Sequence, residues 1–356
     1  MRTTSRTAAL AAATITTLTL AACTGPEPEN TASTTPAEEA TTVTVVTHDS
    51  FNVPDEVLAS FEAESGLQVE FVAPGDAGTL VNQLVLTKDA PLGDVVYGID
   101  NTFATRAVNE GVLAPYTSSA AAAEDAAAYA VPGAEDVLTA IDFSDVCLNY
   151  DLTYFESAGV PAPTSLTDLT DPAYAGLVSV TNPATSSPGL AFLLATIGEL
   201  GDDWAQWWAD MTANGLRVTA SWSDTYYTDF SAPNYGGDYP IVLSYASSPP
   251  YEVIDGEPTT ASMLDGCFRQ VEYAGVLEGA EHPEAAQQVV DWMLSDDFQA
   301  GLPENMYVYP VSSSVEVPAE WAAFAPLAEE PASVDPAEID TRRDEWIDAW
   351  TTIVLG

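Results

Sequence analysis

The stretch TVTVVTHDSFNVPDEVLASFEAESGLQVEFVAP (residues 42–74) decides how the chain folds. TVTVVTH alternates β-branched residues at a period of two, which predicts a strand. PDEVLASFEAESG (54–66) carries apolar residues at 57, 58 and 61, opens with Pro-Asp-Glu and closes on Gly, so it predicts a helix with start and stop signals. LQVEFVAP predicts a second strand. The alternation continues with a helix in AGTLVNQLVLTKDAP (77–91), a strand in GDVVYGID (93–100) and a helix in NTFATRAVNEGVL (101–113). Strands and helices alternating at this spacing make βαβ units and a parallel sheet. Ligands of such sheets sit beyond the carboxyl ends of the strands. Those ends carry His48-Asp49-Ser50, Asp76 and Asp100-Asn101.

Upstream of this stretch the sequence changes character. Arg2 and Arg6 precede the short apolar run AALAAATITTLTLAA, which is the layout of a secretory signal and too short for a stable membrane span. The run ends in LAAC, the pattern of a bacterial lipoprotein, which implies cleavage after residue 22 and acylation of Cys23. Residues 24–42 are polar and Pro-rich without apolar period and read as a flexible tether. The expected mature protein is lipid-anchored on the outer face of the cytoplasmic membrane. From residue 43 onward roughly 310 residues remain, more than one core usually serves, so two lobes are expected. We divide them at 43–145, 146–270 and 271–356, the last returning to the first lobe.

The chain has 54 acidic against 8 basic residues, a formal charge of −46. Such a field repels nucleic acid, and no basic patch overrides it. Cys147 and Cys267 are left as a pair in an exported protein, where disulfides persist; a bridge or two free buried thiols are the alternatives.

The remainder of the chain supplies the second lobe. DFSDVCLNYD (142–151) is strand-like. LVSV (177–180) predicts a strand that ends in TNPATSSPG, and the apolar helix LAFLLATIGEL follows. Pro188 suits its first turn, and Ser186 and Ser187 lie where exposed amides can hold a polar ligand end or be capped. Trp204, Trp207 and Trp208 in DDWAQWWADMTANG share one helical face and predict core packing. LRVTASWSDTYYTDF (216–230) reads as strand, turn and helix start. In IVLSYASSPPYEV (241–253) a buried strand breaks into a small-residue turn holding Tyr245 and Tyr251. CFRQVEYAGVL (267–277) is a return strand. A helix around Val289 and Leu294 precedes a Tyr-rich extended loop, and DPAEIDTRRDEWIDAWTTIVL (335–355) is an amphipathic helix.

Catalytic signals are weak. There is no G-x-S-x-G elbow, P-loop or G-x-G-x-x-G, the only histidines are His48 and His282, and no His/Cys cluster could hold zinc. Binding signals are stronger. Trp222 sits in a polar turn after a strand. Tyr307 and Tyr309 alternate and are expected on one face. With Tyr245 and Tyr251 they bring rings from three loops, and Asp76 and Asp100 add carboxylates. Such a pocket suits a flat cationic molecule, since each ring face attracts a cation by about 0.5–2 kcal/mol.

THDSF, GDVVYGIDN, NPATSSPGL, SWSDTY, VLSYASSPPY and YVYPV occur in the order of the periplasmic thiamine-binding proteins of ABC importers, which the chain resembles from residue 43 to its end. The resemblance implies an α/β fold of type II periplasmic-binding-protein kind, with two lobes joined by a hinge and the ligand cleft between them. It implies no enzyme activity and no cofactor. Thiamine would be the ligand, the permease and ATPase subunits the partners, and the receptor a monomer. His48 stands where relatives often place tyrosine. Asp76 resembles the acceptor for the aminopyrimidine, Asp100 a cleft or turn residue, and Ser186 a ligand contact. Trp222, Tyr245, Tyr251 and Tyr307 resemble ring contacts, Tyr307 in place of a tryptophan. Ala184 replaces a basic residue, which favours free thiamine over its phosphates. Two other functions compete. Tyr226 and Tyr227 with His48 could hold ferric iron, and a carboxylate pair on an aromatic groove could hydrolyse sugars.

Overall fold

The structure, a computed structural model, describes residues 40–356. The signal segment, Cys23 and all of the tether before residue 40 lie outside the described residues. Strands and helices alternate at the start as predicted: β1 (Thr42–Val46), α1 (Asp55–Ser65), β2 (Gln68–Val72), α2 (Ala77–Leu86), β3 (Val95–Asp100) and α3 (Ala104–Asn109). β1 runs parallel to β2 on one side and β3 on the other. After α4 (Ala123–Ala127) and β4 (Thr139–Asp151) the pattern recurs in α5 (Leu152–Ala158), β5 (Val178–Thr181), α6 (Ser187–Leu200), α7 (Trp204–Ala213), β6 (Arg217–Thr219) and β7 (Ile241–Tyr245). Here β5 runs parallel to β6 and β7. A small hairpin, β8 (Val253–Ile254) and β9 (Glu257–Pro258), leads into β10 (Thr260–Val276). The chain ends with α8 (Pro283–Met293), α9 (Asp296–Met306), β11 (Tyr309–Pro310), α10 (Ala319–Phe324) and α11 (Pro336–Val354).

Two long strands weld these halves into one sheet of order β2-β1-β3-β10-β4-β7-β5-β6, with β11 added to β4. β10 is antiparallel to β3 and β4, and β4 is antiparallel to β7. Each half is therefore three parallel strands closed by one antiparallel strand that the chain supplies while crossing over. The boundaries drawn from sequence at 145/146 and 270/271 fall inside β4 and β10, because each of these strands serves both halves.

The crossing is irregular at one place. Met263 pairs with Leu148 and Phe268 with Val146, so β10 spends more residues than β4 and bulges. Cys267 in that bulge is bonded to Cys147, with Cα atoms 4.5 Å apart, in a buried pocket shared with Ala246 and Ala328. Beside it Arg269 pairs with Asp145, whose Oδ2 also accepts the Ala328 N–H at 2.7 Å.

The tryptophan stripe of α7 packs as its spacing predicts. Trp207 and Trp208 are buried edge-on to Phe192, while Trp204 is half-buried. Trp350 of α11 meets Trp208 at 5.6 Å. The earlier part of α11 reaches the other half, where Arg343 lies over the Phe103 ring and Asp340 accepts from Asn109 at 3.0 Å. α11 thus touches both halves.

α9 differs from the sequence expectation of an extended loop. Ser295 caps it by accepting from Phe298, Asp296 and Asp297 favour its first turn, and Phe298, Leu302 and Met306 are buried. These outweigh Pro303 inside the helix. Tyr307 ends the helix at φ 57°, a left-handed conformation that breaks any period of two. Tyr309 consequently turns away from Tyr307 and stacks on Phe143 and against Trp321.

Candidate functional site

The carboxyl ends of the parallel strands in the two halves meet. The Thr79 N–H at the start of α2 donates to the Thr185 carbonyl at 3.0 Å, and the Trp222 N–H donates to Asp76 Oδ2 at 2.8 Å. The backbone at Gly78 passes so near Thr185 that a Cβ there would overlap the Thr185 carbonyl group.

Trp222 is the centre of a ring cluster built by chain turns after β6 and β7 and by the end of α9. Its indole stacks on Tyr226 at 5.0 Å and 12°. It also meets Tyr227, Tyr307 and Tyr245 at 5.2, 5.9 and 6.0 Å. The indole N–H donates to Ser244 Oγ at 3.0 Å. Tyr226 and Tyr227 are presented by a π-helical turn, Asp224–Asp229, a widening often found at functional sites. Behind them the buried Glu252 accepts from Tyr226 and from Asn234 at 3.1 and 2.6 Å and so fixes the wall. Tyr251 is 48% exposed and packs on Tyr307 at 4.2 Å.

The strand ends of the first half supply charge. His48 is buried between Ser50, whose Oγ lies 2.9 Å from Nδ1, and Glu272, whose Oε1 lies 3.5 Å from Nε2. Its ring presses on Gly98, where φ is 95° and any Cβ would collide with the imidazole. Burial works against the imidazolium, but Glu272, Asp76 and Asp49 outweigh it and hold the His48 pKa above its ordinary value. His48, Ser50, Trp222, Tyr227, Tyr245, Glu272 and Tyr307 enclose a cavity of about 10 Å³, the size of one water. A groove of about 390 Å³ adjoins it, lined by Tyr251, Tyr307, Glu304, Glu320 and Trp321. Any ring entering the inner cavity must part the halves.

Several residues singled out in the sequence have structural duties. Asp76 caps α2 through Ala77 N at 2.6 Å while its other oxygen holds Trp222, so it latches the two halves. Burial raises its pKa to about 6 against those hydrogen bonds. Asp100 accepts from Thr102 and Phe103 and ties the turn into α3; burial raises it to about 7. Ser186 is fully buried as the cap of α6, accepting from Gly189 at 3.4 Å, and does not line the cavity. Trp222, Tyr245, Tyr307 and His48 do line it, and Tyr251 lies at its outer groove. Sequence reading missed Glu272, Asp142 and Tyr97, a buried group in which Tyr97 donates to Asp142 at 2.5 Å and lies 3.4 Å from Glu272. Burial and Glu272 push the Asp142 carboxyl well up. The signal was available in QVEYAGV, an acid in the middle of an apolar strand.

Comparison with known proteins agrees with this layout. The profile of the bacterial extracellular solute-binding proteins matches residues 90–330. A thiamine-binding periplasmic protein of Escherichia coli is 31% identical over 88% of this chain and 93% of its own length. Its counterpart in Salmonella typhimurium is 30% identical over 90% and 95%. A solved periplasmic thiamin binding protein superimposes with a TM-score of 0.78 at 29% identity, covering 89% of this chain and 98% of its own. Iron-bound HitA from Pseudomonas aeruginosa shares the fold at a TM-score of 0.68 and 21% identity, covering 88% and 99%. The chain belongs to the bacterial extracellular solute-binding protein family, and its two halves form the lobes of a type II periplasmic binding-protein fold.

Proposed function

We propose that this chain captures thiamine between its two lobes outside the cytoplasm and hands it to the permease and ATPase of an ABC importer. The observation that carries the reading is the convergence of Trp222, Tyr245 and Tyr307 from three separate segments onto a cavity whose other wall holds Glu272. Rings bind the planar heterocycles and attract the thiazolium charge. Closure is a shift between open and closed lobes driven by the ligand's greater affinity for the closed form, and no bond is made or broken. Acylated Cys23 would hold the receptor at the membrane. Free thiamine suits the cavity better than its phosphates, since no Lys or Arg lines it.

Calorimetry with thiamine tests this directly; no heat of binding at any concentration up to the millimolar range would remove it. Tyr251→Ala is expected to weaken binding by about 1 kcal/mol or more through loss of one ring–ring contact, with the fold retained because the side chain is half-exposed. Unchanged affinity in that variant would displace the ligand from the outer groove.

The iron reading is disfavoured by the same geometry. The Tyr226 hydroxyl donates to Glu252, whereas the Tyr227 hydroxyl faces Tyr307 at 3.4 Å. Burial, and then Glu252, hold the Tyr226 phenol well above its usual pKa, which opposes the phenolate that ferric iron requires. Absence of a visible charge-transfer band on adding ferric citrate is the expected result.

A further inference from the structure

Glu272 pairs with Asp100 of β3 on one side and with Asp142 of β4 on the other, so three carboxyls stand abreast on adjacent strands. All three side chains are buried. Asp100 Oδ2 and Asp142 Oδ1 have no hydrogen-bond partner, and neither has His48 Nε2, the atom aimed at Glu272. No group of three or more His, Cys, Asp or Glu among the described residues could hold a metal ion. The His48 imidazole is the one ion-pair partner of Glu272 among the described residues. The other ionisable groups around His48 are Asp49 beside it, Asp76 at the start of α2, Tyr97 of β3 with its ring 5.6 Å away, and Tyr227, Tyr245 and Tyr307 around the cavity; none is a cation. Glu272 and His48 both line the cavity.

We infer that Glu272 is the counter-charge for the cationic ring held in this cavity, that protonated His48 fills that role beforehand, and that capture of the cation drives the proton off His48. This rests on the receptor reading above and deepens it. Two cations cannot share one buried carboxylate at low dielectric without strong repulsion, and the imidazole can shed its charge whereas the thiazolium cannot. Once the proton leaves, the Glu272 carboxylate is left to face the incoming ring. Because the His48 pKa stands above its ordinary value, affinity for the cation rises as pH climbs through that raised value.

Titration calorimetry of the full chain with thiamine, repeated near neutral pH in buffers of different ionisation enthalpy, counts the protons. A release of up to about one proton per thiamine is expected, with affinity rising about tenfold from pH 6 to pH 8. Glu272→Gln should weaken thiamine at least about tenfold and abolish the release. His48→Gln, in the separate segment that follows β1, should abolish the release and flatten the pH profile. Tight wild-type binding without proton release, or release that persists in His48→Gln, overturns the exchange and leaves the receptor reading standing. Failure of the wild-type chain to bind thiamine at every pH removes both.

Discussion

Trp222→Ala is expected to weaken thiamine binding more than about 100-fold and to lower the unfolding free energy by about 3–5 kcal/mol. The indole is buried, touches four tyrosine rings, and donates to Ser244. Truncation opens a void between the wall and the cavity and leaves the Ser244 hydroxyl short of a donor. The latch from the Trp222 backbone to Asp76 belongs to the main chain and survives the change. The loss in affinity would therefore report the ring rather than failure to close. Trp222→Phe separates the two effects, since it keeps an apolar ring and loses the indole N–H; it should recover most of the stability and only part of the affinity. Urea denaturation and calorimetry on both variants decide the matter. Affinity within a few-fold of wild type in a folded Trp222→Ala protein would place the ligand elsewhere.

Thermal stability should rise on acidification, opposite to the behaviour of most globular proteins. Burial first of all raises Asp76 to about 6 and Asp100 to about 7 from the usual 3.8, and burial and then the neighbouring Glu272 carboxylate push Asp142 well up. A carboxyl with a raised folded-state pKa binds its proton more tightly in the native state. Its cost is absent below pH 4 and grows as pH climbs through the folded value. For Asp76 and Asp100 this amounts to about 3–4 kcal/mol each once both states are ionised. The raised His48 works in the same direction, its contribution being present below pH 6.5 and lost as pH rises through its folded value. A formal charge of −46 adds self-repulsion that fades with protonation. Scanning calorimetry should show a melting temperature on the order of 10 °C higher at pH 5 than at pH 8. Asp142→Asn should flatten that slope. A melting temperature that stays level or increases from pH 5 to pH 8 would contradict the account.

How much of this was legible in the residues depends on the range of the interaction. The βαβ repeat of residues 42–113 is local, and every element in it forms within a few residues of its predicted bounds. Trp222, Tyr245 and Tyr251 stand out because a large ring in a polar turn after a strand has nothing local to cover it. Asp76, Asp100 and Ser186 were visible as polar strand ends, but the same position that invites a ligand also caps the next helix, and only the folded backbone shows which amides they accept from. Glu272 and Asp142 became neighbours through the register of β10 on β4, which no local pattern encodes. α9 was hidden by Pro303, and with it the left-handed turn that aims Tyr307 inward and sends Tyr309 elsewhere.

The manner in which the halves are joined limits how they can gape. Backbone crosses between them as the paired strands β4 and β10, riveted at the bulge by Cys147–Cys267, so the pivot cannot wander along the sheet. α11 lies against Phe103 near one end and Trp208 near the other. Widening the mouth must slide one of those footings while the other stays put. The slack in that C-terminal rod, rather than the length of any loop, then sets the aperture through which a solute can pass.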